Sequence, residues 1–244
     1  MEATPTKPNL VVGRLFLVPT MLGDNAPLGV LPISIKRTIE NVDHYIVESE
    51  KTARRFIKKI SPTKAQPKLS FELLNKYTDA QEVPKLLDPC IQGTDIALLS
   101  EAGAPGIADP GAELVRVAHD KKIRVIPLVG PSSIIMAMMA SGMNGQNFAF
   151  TGYLPIETAL RSRAIKSLEQ LSLDTGQAQI FIETPYRNDK LFQELIKKLK
   201  PNTRLCVATD ITLPTEQIES KTVNEWRRTS SSLHKRPTVF IVQA

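Results

Sequence analysis

The chain has 244 residues, of which 42% are hydrophobic, 23% charged and 5% aromatic. This is the composition of an ordinary soluble globular protein that can bury a sizeable core without a metal or disulfide staple, and it excludes disorder as the dominant state. Lys and Arg number 31 against 25 Asp and Glu, a formal net charge of +6 that suits an anionic partner without requiring one. The longest apolar stretch, Val125 to Met143, is interrupted by Pro127, Gly130, Pro131, Ser132, Ser133 and Ser141, so no membrane span or membrane partner is expected. Cys90 and Cys206 stand far apart, and His44, His119 and His234 lack the spacing that puts two imidazoles on one face, so neither a disulfide framework nor a metal site is expected. Met1 to Gly13 shows no signal-peptide pattern, which makes the cytoplasm the default address.

In chain order, the first half alternates short apolar runs with helical patterns, as in a parallel sheet covered by helices. Leu15 to Val18 reads as a strand, Pro32 to Asn41 as a helix with Pro32 in its first turn, and Tyr45 to Val47 as the second strand. A helix is expected over Glu50 to Ile60, a strand near Leu69 to Phe71, and a helix over Asp79 to Ile91. The fourth strand, Asp95 to Ser100, is bounded by Gly93 and by a Gly/Pro-rich loop; Ala112 to Asp120, Ile123 to Pro127 and Ser132 to Ala140 follow as helix, strand and helix. Beyond Ser141-Gly142 the pattern changes. Phe148 to Tyr153, Gln179 to Glu183, Leu205 to Asp210, Gln217 to Ser220 and Val239 to Val242 read as strands, with helices over Ala159 to Leu171 and Asp189 to Leu199, an α+β half with antiparallel pairing. These patterns imply an N-terminal α/β domain over residues 1–144 and a C-terminal α+β domain over 145–244, with a cleft between them as the expected ligand site.

No GxGxxG follows the first strand, and neither GxxxxGK[ST] nor GxSxG occurs, which argues against a dinucleotide oxidoreductase, a P-loop NTPase and a serine hydrolase. The unusual segments are loops at the carboxyl ends of strands, where open parallel sheets bind ligands. In Ser100-Glu-Ala-Gly-Ala-Pro-Gly-Ile-Ala-Asp-Pro-Gly111 small residues let a ligand approach the backbone, and Gly103 is where a larger side chain would obstruct it. Asp109 and Pro110 fit the N-cap and first turn of the next helix. Ser132 and Ser133 cap the following helix or offer hydroxyls to a polar ligand, and both roles stay open.

Taken together, Pro19-Thr20, Glu101 to Gly111, Gly130-Pro-Ser132, Ala140-Ser-Gly142, Phe150-Thr-Gly-Tyr-Leu-Pro155 and Glu183-Thr-Pro-Tyr-Arg187 occur in an order that resembles the tetrapyrrole (corrin/porphyrin) methylase superfamily. Within it the chain is most similar to the small-subunit ribosomal RNA cytidine 2′-O-methyltransferase group, over about Arg14 to Val242. The resemblance implies a two-domain class III methyltransferase fold, S-adenosylmethionine as cofactor and a homodimer. It places Pro19, Ser100, Ala104 and Ile107 beside the cofactor, where the loop reading already puts Gly103, with Ser132 and Ser133 as paired hydroxyls, and Glu183, Thr184, Pro237 and Thr238 approaching the adenosine. Where the ribosomal group carries an acidic-acidic-Thr-Arg run after strand two, this chain has Glu48-Ser-Glu-Lys51, and Thr209-Asp210 replaces Arg-Glu later on.

An in-line methyl transfer to a ribose hydroxyl needs alignment and removal of the acceptor's proton. Glu48, ending strand two, is the first candidate base, and Glu183 the second. The run from Lys51 to Lys68 carries seven basic and no acidic residues; Lys51, Arg54 and Arg55, with Arg187 from the second domain, are the expected phosphate contacts of a ribosomal RNA or ribosomal subunit. Arg227, Arg228, Lys235 and Arg236, near Trp226, form a second basic cluster. The alternatives are a tetrapyrrole-type small-molecule methylase and a non-catalytic RNA-binding relative.

Overall fold

Residues 11–244 are described by a computed structural model; most of the leader expectation over Met1 to Gly13 falls on residues 1–10, outside the described residues. Two compact units emerge, one formed by the chain up to Met21 with Ala26–Pro131, the other by Leu22–Asn25 with Ser132–Ala244.

The first unit runs β1 (Arg14–Val18), α1 (Pro27–Val30), α2 (Ile33–Asn41), β2 (His44–Val47), α3 (Glu50–Ile60), β3 (Ser70–Leu73), α4 (Asp88–Ile91), β4 (Ile96–Leu99), α5 (Gly111–Asp120) and β5 (Arg124–Pro127). Its five strands are all parallel in the order β3-β2-β4-β1-β5. All four β4 residues are buried because successive side chains enter cores on opposite faces. Ala97 and Leu99 join Ile35, Ile39, Phe56 and Ile57 beneath α2 and α3, whereas Ile96 and Leu98 join Leu87, Leu114 and Ala118 beneath α5. The single helix expected over Asp79 to Ile91 is instead a 3₁₀ turn, Val83–Leu87, followed by the short α4. Pro84 and Pro89 lack the amides that a continuous helix would use.

The second unit comprises α6 (Ser133–Ser141), β6 (Phe148–Tyr153), α7 (Thr158–Thr175), β7 (Ala178–Ile182), α8 (Asn188–Lys198), β8 (Arg204–Thr209), β9 (Gln217–Thr222), α9 (Val223–Trp226) and β10 (Thr238–Gln243). Its sheet, ordered β6-β7-β10-β8-β9, is mixed: the antiparallel pairing expected of the second half holds for every pair except the parallel β6 and β7. One face packs Phe181, Leu205 and Phe240 against Phe192 and Leu195 of α8 and Trp226 of α9. On the other, Ile180, Cys206, Ala208 and Ile241 receive Ile134, Ala137 and Met138 of α6. The division by packing therefore falls between Pro131 and Ser132, ahead of the 144/145 boundary expected from sequence, because α6 buries its apolar side on the second sheet.

Both thiols are buried, which pushes Cys90 up to about 11 and Cys206 up to about 12 and leaves them inert near neutrality. Among the described residues no helix is long and apolar enough to cross a membrane, and no three His, Cys, Asp or Glu side chains are grouped to hold a metal ion.

Candidate active site

In the first unit, the carboxyl ends of β1, β2 and β4 carry the loops singled out by sequence. The β1 and β4 loops are stitched together: Thr20 N donates to Gly103 O at 3.0 Å and Gly103 N to Thr20 O at 3.3 Å. Thr20 Oγ1 lies 3.2 Å from Ser100 O, and Ser100 Oγ donates to Gly103 O at 2.5 Å. The Ser100 hydroxyl thus shapes the loop from within. Gly103 and Gly106 both sit at φ +79°, a conformation that strains any residue with a Cβ. Gly130 presses on the same corner, since a Cβ there would stand 2.3 Å from Pro19 Cβ.

Asp109 was expected as the N-cap of α5. The N-cap is Pro110, and Asp109 Oδ1 instead accepts from Gly106 N and Gly111 N, both at 2.8 Å, pinning the loop against the helix start. Burial pushes the Asp109 carboxyl up despite those two amides. The amides of Ala104 and Ile107 have no partner among the described residues, and the Ile107 side chain is exposed. Ser132 is the N-cap of α6 but makes no side-chain capping bond, so the expected capping hydroxyl is not engaged.

Glu48 follows β2 directly and is half-buried. Burial raises its carboxyl above the ordinary range, and the negative charges of Asp109 and Glu101 raise it further. Glu101 is a member of this group that sequence reasoning passed over. Next to Glu48, the Ser49 hydroxyl accepts from Thr52 N and caps α3. Lys51, Arg55 and Lys58 stand exposed on this helix. Arg54 does not: its guanidinium pairs with Glu50 at 2.7 Å, donates to Gln66 O at 2.9 Å and lies over the Phe71 ring at 4.4 Å. That engagement holds the guanidinium against the chain while 36% of the side chain stays exposed. Lys64 of the same run is likewise held inward by Asp43 and by the Glu40 and Val42 carbonyls.

In the second unit, the remaining expected residues gather at the end of the sheet where β7 and β8 finish and β10 begins. Glu183 is 5% exposed, and its Oε1 accepts from Arg187 Nη2 and from Thr184 N, both at 2.6 Å. Those contacts make it an anchor for Arg187 and the following turn. Buried Thr238 donates to Arg236 O at 3.0 Å, and Pro237 is exposed beside it. Of the second basic cluster, Arg236 pairs with Asp210 at 2.7 Å and Arg227 donates to the Ile196 and Leu199 carbonyls. Trp226 is buried with its indole N–H on Leu205 O.

The profile of the Tetrapyrrole (Corrin/Porphyrin) Methylases matches residues 29–226. The chain belongs to this family. Its relatives include "Ribosomal RNA small subunit methyltransferase I" of Synechocystis, 32% identical over 84% of this chain and 70% of that protein. Proteins of the same name from Vibrio cholerae and Halalkalibacterium halodurans are 28% and 30% identical, covering 93% and 88% of this chain and 76% and 71% of theirs. Among solved structures, the methyltransferase CobJ aligns with a TM-score of 0.63 at 14% identity over 95% of this chain and 94% of its own. The cobalt precorrin-4 methyltransferase CbiF aligns at 0.58 with 13% identity over 94% of each. At such identities the structural likeness speaks for the fold alone, and it identifies the class III tetrapyrrole methylase architecture of this family member.

Proposed function

We propose that the chain is an S-adenosylmethionine-dependent methyltransferase whose acceptor is a ribose 2′-hydroxyl of small-subunit ribosomal RNA, working in the cytoplasm as a homodimer. The observation that carries this reading is the arrangement at one end of the parallel sheet. There a loop held in shape by Thr20, Ser100 and Asp109 leaves the Ala104 and Ile107 amides without a partner among the described residues, and the same loop carries Glu101 and Asp109, whose charges act on Glu48. Amides and small residues suit a cofactor carboxylate and adenine, and the acidic group suits its ammonium and sulfonium. When bound, the cofactor supplies an activated methyl group. Pro19, Gly103, Ala104 and Ile107 would line it, with Ser132, Ser133, Thr184, Pro237 and Thr238 as further contacts. Ser100 would act through the loop it holds.

The protein's remaining work is alignment, exclusion of water and removal of one proton. Glu48 is the base: its raised carboxyl is a stronger proton acceptor than an ordinary glutamate. Glu183, engaged by Arg187 and Thr184, would position the turn instead. Lys51 and Arg55 would hold phosphate from α3, and Arg187 from the second unit.

The test uses purified full-length protein, radiolabelled S-adenosylmethionine and small ribosomal subunits from cells lacking the enzyme. Label in a ribose of the subunit RNA, located by nuclease digestion and mass spectrometry, is expected. Absence of cofactor binding at millimolar concentration overturns the reading altogether. Cofactor binding without transfer to RNA, but with transfer to an anionic tetrapyrrole, replaces the acceptor with the small-molecule alternative.

A further inference from the structure

Sequence placed an aromatic near the second basic cluster in Trp226, but that ring is enclosed in the core. The ring that faces solvent is Tyr186, 72% exposed, in the turn between β7 and α8. His234, from the segment before β10, meets it edge-to-face with centroids 6.2 Å apart, and Lys235 Nζ lies 5.9 Å from the Tyr186 centroid. His234 and Lys235 are exposed as well, and Lys235 makes no ion pair among the described residues. A lone surface tyrosine would need no explanation. Two exposed rings and a cation converging from separate segments do.

The two segments beneath them are hydrogen-bonded to each other. Arg187 N donates to Thr184 O at 2.8 Å and closes the turn that presents Tyr186. Lys235 N donates to Pro185 O at 3.0 Å, Leu233 N to Asp189 Oδ1 at 2.7 Å, and fully buried Asn188 donates its amide to Arg236 O at 2.6 Å. These bonds tie the two segments together, and Lys235 is held at φ +62°, a conformation that persists only where its surroundings impose it.

From this geometry we infer that Tyr186, His234 and Lys235 form a stacking platform for an unpaired nucleobase of single-stranded RNA, with Lys235 and Arg187 taking the flanking phosphate. The inference rests on the RNA reading above and extends it to the part of the acceptor recognised by the second unit. A base offers a flat π-face to an aromatic ring whatever its sequence, and a neighbouring cation meets the backbone phosphate. A structured duplex offers no such face, so the platform selects an unstacked nucleotide.

The experiment measures anisotropy of a short fluorescein-labelled single-stranded oligoribonucleotide of mixed sequence with the full chain, with the matching RNA duplex as control. Tyr186→Ala is expected to weaken single-strand binding by about tenfold or more. Tyr186→Phe should bind within about twofold of wild type, since the ring is kept. Lys235→Ala should flatten the salt dependence, lowering the log–log slope by roughly 0.7. Tyr186→Trp adds a direct signal, because its emission should be quenched by the oligonucleotide while Trp226 stays enclosed. Calorimetry with S-adenosylmethionine on each variant checks that the fold and cofactor site are intact. Wild-type affinity in Tyr186→Ala, equal loss in Tyr186→Phe, or no binding of the strand by the wild type would each overturn the platform. If Tyr186→Ala loses binding but the enzyme transfers no methyl group to ribosomal RNA, the acceptor assignment fails and the platform stands.

Discussion

Glu48, the proposed base, carries a pH-dependent cost in stability that can be measured apart from any chemistry. Burial, Asp109 and Glu101 disfavour its charged form in the folded state and raise it from the ordinary 4.5. Below the unfolded-state value both states hold the proton and there is no penalty; the penalty grows as pH rises through that value and is complete above the raised folded-state value. Glu48→Gln removes it, so the variant should melt higher than wild type at about pH 8 and level with it below about pH 4. The same variant should lose roughly 100-fold or more in kcat with an unchanged cofactor Kd, if the carboxylate takes the proton. Gly103 supplies the second residue-scale prediction. At φ +79° a β-branched side chain is strained, so Gly103→Val should cost about 1–3 kcal/mol in denaturant melts and weaken cofactor binding. Gly103→Asn should be milder in both measurements, since asparagine tolerates this region.

Helices α3 and α6 display how packing divides labour along one element. On α3, adjacent arginines of the same chemistry have different fates. Arg54 turns inward to Glu50, Gln66 and Phe71, and Arg55 stays in solvent. Arg54→Ala should therefore lower stability by roughly 1 kcal/mol, while Arg55→Ala should leave the melt unchanged and weaken RNA binding. The basic run is readable in the sequence. Which of its members are free is not, because Gln66 and Phe71 reach Arg54 only when β3 pairs with β2. On α6, Met138 is 6% exposed and Met139 80% exposed. Met138→Ala should cost about 2–4 kcal/mol and Met139→Ala less than about 0.5, a difference that a urea titration resolves. The nearly uniform apolar sequence of α6 gives no amphipathic signal to say which sheet it covers, and for that reason the expected boundary near residue 144 ran past it.

For the molecule as a whole, a net charge of +6 would make affinity for the proposed RNA acceptor dependent on salt, with the exposed cations setting the steepness. If Lys51, Arg55 and Lys58 each neutralise one phosphate, their combined replacement by Ala should lower the slope of log affinity against log salt by roughly 2. Equal slopes for the triple variant and wild type would move the phosphate contacts elsewhere.

What the amino-acid sequence determined by itself was whatever depends on neighbours along the chain. The parallel first half and mixed second half follow from apolar runs and turn residues. The Ser100–Gly111 loop follows from glycines and prolines that act on their own backbone, and its order with the other loops carried the family. Tertiary structure alone decided what each polar group was left to do. It turned Asp109 from a helix cap into a tie between Gly106 and Gly111, and it engaged Ser100, Arg54, Arg227 and Arg236 internally. It also enclosed Trp226 while bringing His234 to Tyr186. Each of these outcomes depends on a partner distant in sequence or on burial of the whole element, and a side chain's pattern along the chain carries no record of who will stand opposite it.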